Sequence, residues 1–161
     1  MIVLNLKAKN CMSHLLLKPT FDEFSLIEGE ITTFNKFTFD GYIHKDFYEE
    51  ALENEFSYWK DLREFCFSII KGKRTPLNFK FILSLARNDF ENFLVSHEIE
   101  GFLPDNIQGL YLNFKYDGIH LQCVTGTSMN MFTMDKSIEK AWDEYVKTMF
   151  SEKGIEWDSE L

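Results

Sequence analysis

The pattern that most constrains this chain occurs twice. Ile2 to Leu17 reads IVLNLKAKNCMSHLLL, and Phe81 to Ser96 reads FILSLARNDFENFLVS. Laid on one another, Ile2, Leu4 and Leu6 fall on Phe81, Leu83 and Leu85, Asn10 on Asp89, and Leu15 on Leu94. Each copy is a period-two apolar run followed by a short helical pattern, the rhythms of a half-buried strand and an amphipathic helix. The segments after the two copies correspond as well. Glu28-Gly29 reads as the turn of a first hairpin and Asp117-Gly118 as that of a second, the latter flanked by the alternation Leu110, Leu112, Phe114, Tyr116. The closing strands read Phe37-Thr38-Phe39-Asp40 and, within Met129 to Met134, Phe132-Thr133-Met134, with Asp135 next.

The sequence therefore predicts an α+β fold: two tandem βαβββ units forming a mainly antiparallel sheet. The expected organisation is a single domain over 1–161, with a first unit at 1–48, a linking helix at 57–71, a second unit at 79–135 and a C-terminal helix at 136–153. In the linking helix Trp59, Leu62, Phe65, Cys66, Ile69 and Ile70 recur at three- and four-residue steps as a core-facing stripe. In the last helix Ile138, Ala141, Trp142, Tyr145, Val146, Met149 and Phe150 do the same, with Asp135 placed to cap it. Asn10, and Asp89 or Asn88, are the expected N-caps of the two short helices, and the tail from Asp158 is expected to be loose.

The net charge of -9 keeps such a chain soluble and repels nucleic acid on average, leaving a local basic patch as the one route to it. Cys11, Cys66 and Cys123 are an odd number, far apart and in apolar settings, which points to reduced core thiols and a cytoplasmic protein. No run is long enough to span a bilayer, so no membrane association is expected.

Candidate chemistry is sparse. Gly72-Lys73-Arg74-Thr75 has one glycine, follows a helix and precedes a strand, so it is not a phosphate loop. Lys71, Lys73 and Arg74 form a candidate anion-binding patch, against the plainer reading of cations at a helix C-terminus. His44 and His120, each a few residues after an aspartate and a glycine, are the candidate metal ligands, against exposed strand histidines. The aromatics Phe34, Phe37, Phe39, Tyr42, Phe47 and Tyr48 could stack bases, but alternation in a sheet makes them core. No Ser or Cys stands in a nucleophile context and no cofactor is expected.

The segments Ile31–Tyr48, Ile69–Pro76 and Val124–Glu144 resemble an uncharacterised family of small bacterial proteins, a domain of unknown function. The resemblance covers nearly the whole chain and brings no activity and no catalytic residues with it. The expected architecture also resembles one domain of a DNA sliding clamp, and Leu121 to Asp135 looks like the clamp strand pair. Clamps line their inner helices with cations. Here the first helix region offers Lys7, Lys9 and Lys18, but the second offers Arg87 against Asp89, Glu91 and Glu98. The leading expectation is a non-enzymatic interaction module, binding a protein partner or itself in preference to nucleic acid. The alternatives are a small metal-dependent enzyme or metal-binding protein using His44 and His120, and a clamp-like DNA tether.

Overall fold

The computed structural model describes residues 1–158. Its elements in chain order are β1 (Val3–Leu6), α1 (Ala8–Leu16), β2 (Ser25–Thr32), β3 (Lys36–Asp40), α2 (Trp59–Ile70), β4 (Asn78–Ser84), α3 (Phe90–Ser96), β5 (Ile107–Tyr116), β6 (Leu121–Met129), α4 (Ser137–Lys153) and β7 (Trp157–Asp158). The strands form one sheet, ordered β3-β2-β4-β5-β6-β1-β7, and every pairing is antiparallel. The fold is α+β, as the alternating runs imply.

Alternation decides the two faces. Phe79 pairs with Tyr116, Phe81 with Phe114, and Leu83 with Leu112, and these residues are buried. The helices pack on this face. Trp59 of α2 lies 5.0 Å from the Phe81 ring, and Phe150 of α4 stacks on Phe114 at 6.4 Å, joined by Phe21 from the turn after α1. The intervening residues turn the other way. Glu30, Lys80, Lys115, Gln122 and Asn5 are aligned by successive strand pairings into one polar row. That is the pattern of a sheet packed on one side and wetted on the other.

Three expectations need correction. First, Glu28-Gly29 is not a turn. β2 runs through it, with a bulge between Leu26 and Glu28. A Cβ at Gly29 would lie 2.5 Å from the Phe39 ring and 3.0 Å from the Phe81 ring, so the glycine serves close approach of two aromatics. Second, Met129 to Met134 is not a strand. β6 ends at Met129, and Asn130 donates its backbone N–H to Asn106 O (2.8 Å) and its side-chain amide to Asp105 O (2.9 Å), tying the end of the strand to the turn before β5. Each half is therefore β-α-β-β, one strand short of the expected unit. Third, the two copies have unlike neighbours: β1 lies between β6 and β7, whereas β4 lies between β2 and β5.

Local details differ in the same way. α1 begins at Ala8, so Asn10 lies inside it and is not its N-cap. Its side chain donates to Gly154 O (3.1 Å) and accepts from the Glu156 N–H (3.0 Å), clamping the exit of α4. Asp89 precedes α3 without a side-chain capping bond. Of the stripe expected to face the core on α2, Trp59 and Cys66 are buried while Phe65 is 69% exposed. Asp158 pairs with Asn5 in β7, and the rest of the tail lies outside the described residues. All three cysteines are buried and free, and burial pushes the Cys11 and Cys66 thiols up to about 12. Among the described residues no helix is long and apolar enough to cross a membrane.

Candidate functional site

The sheet has two ends, and register fixes which loops share each. Thr32 pairs with both Lys36 and Asn78, and Phe79 pairs with Tyr116. The β2–β3 turn, the entry to β4 and the β5–β6 turn therefore lie together at one end, here called the hairpin end. The Leu77 N–H donates to Thr32 O (2.9 Å), and a Cβ at Gly118 would come 3.0 Å from the Leu77 carbonyl oxygen, so the three connections touch.

Each connection presents one large apolar side chain to solvent. Phe34 is 85% exposed, Leu77 63% and Ile119 77%. None is loosely placed. Phe34 packs edge-on against Phe37 at 5.9 Å. The Leu77 backbone is held by its bond to Thr32. Ile119 sits on a turn clamped by Asp117, whose carboxylate accepts from the N–H groups of His120 (2.7 Å) and Ile119 (2.9 Å). Those two bonds, the one from His120 first, hold the Asp117 carboxyl below its ordinary range.

The loop leading into Leu77 carries Lys71, Lys73 and Arg74, all exposed. Among the described residues none of the three has a carboxylate within 4.0 Å, whereas nearby Lys36 lies 3.5 Å from Glu30. α2 starts beside Ser25, through the Ser25–Tyr58 bridge, and packs along β2, so its C-terminus and these cations arrive at the hairpin end. The structure thus brings the loop of sequence-predicted cations to the same end of the sheet as three apolar tips that no sequence pattern groups together. Alternation alone puts Phe34 in the core and Ile119 with Leu121 and Cys123 on the returning strand, and it gives Leu77 no role. The signal available is position: each sits next to a turn former, Asn35-Lys36, Pro76 or Gly118.

The two histidines do not meet. His120 belongs to the β5–β6 turn, 3.6 Å from Asp117. His44 follows β3 at the opposite end, where Glu28 pairs with Asp40, and stands 4.0 Å from Asp40. Among the described residues no group of three His, Cys, Asp or Glu is arranged to hold a metal ion.

A trough of about 450 Å³ lies elsewhere, between α3, α4 and the turn after α1, lined by Asp89, Glu144 and Glu152 around Tyr145 and His97. Burial, with Asp89 and Glu152 nearby, pushes the Tyr145 phenol up. His97 Nδ1 is engaged by Phe93 O (3.0 Å) and Ser96 Oγ (3.1 Å).

The sequence model of a family of unknown function (DUF5721) matches residues 14–158. Neither a curated protein nor a solved structure matches the chain.

Proposed function

The chain belongs to the family of unknown function DUF5721, and from that premise we propose that it is a non-enzymatic interaction module whose docking surface is the hairpin end of the sheet. One observation carries this reading: Phe34, Leu77 and Ile119, from three separate connections, stand exposed at the end of the sheet to which the loop of Lys71, Lys73 and Arg74 leads, and those cations have no carboxylate of their own among the described residues. Exposed apolar groups that cluster, rather than scatter, mark contact surfaces. Anchors of this kind contribute most of a protein interface's energy when a partner covers them, and flanking cations set orientation and encounter rate.

The perturbed carboxyls support the same reading, since they serve architecture. Asp117 holds a turn, Asp135 accepts the Ser137 N–H at the start of α4, and Glu139 pairs with the Met1 ammonium at 2.7 Å. The buried free thiols favour a reducing compartment, so we place the module in the cytoplasm.

A benzoylphenylalanine photo-crosslinker at position 119 tests the reading, with position 95 on α3, also exposed, as the control. The expected result is a protein adduct at 119, none at 95, and loss of the first in the Lys71→Glu, Lys73→Glu, Arg74→Glu chain. Equal labelling at both positions, or an adduct indifferent to the charge reversal, overturns it.

A further inference from the structure

At the far end of the sheet the chain makes an excursion. Tyr42 bridges Phe56, the Ile43 N–H donates to Glu55 O (2.9 Å), and the Ser57 N–H donates to Gly41 O (2.8 Å). These bonds tie the base of a loop spanning 44–54, which has one short 3-10 turn at Lys45–Phe47 and no other assigned structure. The loop and its base carry Asp46, Glu49, Glu50, Glu53 and Glu55, and among the described residues none has a cation within 4.0 Å. The same loop presents Phe47, 85% exposed, edge-on to Tyr48 at 5.4 Å. It is the chemical complement of the hairpin end: exposed acids with exposed aromatics, against exposed cations with exposed apolar tips.

We infer that the occupant of the hairpin end is the 46–55 loop of a second copy of this chain, giving a head-to-tail assembly. This rests on the reading of the hairpin end as a docking surface. The contact is between copies, because one copy cannot make it. Strand β2 alone separates the two ends by about 25 Å. A loop of this length, extended out and back, reaches about 18 Å.

Charge selects this occupant over an extended polyanion. At physiological salt, charges more than about 8 Å apart are largely screened, so a short acidic loop feels the local cations and little else. A nucleic acid or an anionic bilayer lies along much more of the surface and meets a molecule of net charge -9. Each copy uses one end as donor and the other as acceptor, so the interface is heterologous and either closes into a ring or extends.

Sedimentation of the full chain at increasing concentration, in 0.15 M and 1 M salt, is the test. We expect the average mass to rise above the 19.1 kDa of one copy at 0.15 M. In 1 M salt, where screening acts within about 3 Å, association is expected to be about tenfold weaker or more. The Lys71→Glu, Lys73→Glu, Arg74→Glu chain alone and the Glu49→Lys, Glu50→Lys, Glu53→Lys chain alone are each expected to stay monomeric. Their equimolar mixture regains association, because each then offers the other a complementary end. The wild-type salt series depends on no variant, so a folding defect in either leaves a decisive measurement. A wild-type chain monomeric at every concentration, variants that still self-associate, or a mixture of folded variants that does not, overturns the inference. So does retention of a DNA duplex or of phosphatidylserine vesicles at 0.15 M salt. If a charge-dependent adduct at position 119 contains a different protein while the wild-type chain is monomeric, the self-docking is wrong and the docking surface stands. If neither adduct nor association is seen, both fall.

Discussion

Gly41 and Gly29 separate two ways in which a missing side chain matters. A Cβ at Gly41 would run into the Leu26 carbonyl oxygen, a backbone atom held in the sheet, whereas at Gly29 it would meet the rings of Phe39 and Phe81. Rings can shift and backbone cannot. Gly29→Ala is expected to cost about 1–3 kcal/mol, the usual range for overpacking, and Gly41→Ala more, both read from urea midpoints at constant slope. His14 gives a pH prediction. It is buried, its Nδ1 lies 2.8 Å from Thr20 Oγ1, and burial first, then Lys18, holds its pKa below the ordinary 6.5. As pH falls through about 6.5 the unfolded chain takes up the proton before the folded one, so stability is fully present above about 6.5 and is lost progressively from there down to the lower folded value. The wild type is expected to lose more stability between pH 7.5 and pH 5.5 than His14→Gln. Residue roles are only partly legible in the sequence. Glycine after glutamate in a period-two run is a sound turn signal, but it is equally what two converging aromatics need, and those aromatics come from strands the local sequence cannot see. Asn10 misleads for the same reason, because its partners Gly154 and Glu156 arrive from the other end of the chain.

Elements are legible where period and length agree. The helical patterns at Trp59–Ile70 and Ser137–Lys153 and the hairpin of β5 and β6 are where the apolar spacing puts them. What periodicity cannot settle is how much of a stripe finds a neighbour. α2 meets α1 and β2 with one side only, so Phe65 at the stripe's margin remains in water. Phe65→Ser is therefore expected to change stability by no more than about 0.5 kcal/mol, as at exposed sites generally. Trp59→Phe on the same helix removes the Nε1–H donor to Leu15 O (2.7 Å) and leaves a buried carbonyl unpaired, at about 1–3 kcal/mol. Thermal or urea unfolding of the two variants side by side checks the contrast. The candidate site is legible by element and not by assembly. Lys71, Lys73 and Arg74 stand out as charge, but a helix C-terminus explains such charge by itself. What separates the two readings is that turns far apart in the chain converge at the end of the sheet to which their loop leads.

For the whole molecule, the α+β class and antiparallel pairing follow from alternation, but strand order does not. Repeated local patterns suggest equivalent places, whereas order is set by which edges remain open once the hairpins have formed. Here β2–β3 and β5–β6 are local pairs, β4 joins them, and β1 takes the edge left on β6, where Val3 pairs with Val124 and Leu6 with Leu121. Pairings between segments so far apart form late, because loop closure precedes any contact energy. In pulsed hydrogen exchange during refolding, the amides of Val3–Leu6 are expected to gain protection no earlier than those of Ile107–Met129. Earlier protection would sink the idea. On the ribosome the delay is longer still: β1 has no strand partner on β6 until Leu121–Val124 has been translated, so Ile2, Leu4 and Leu6 wait without it while the whole stretch between is made. That is the interval in which a cotranslational chaperone has something to hold.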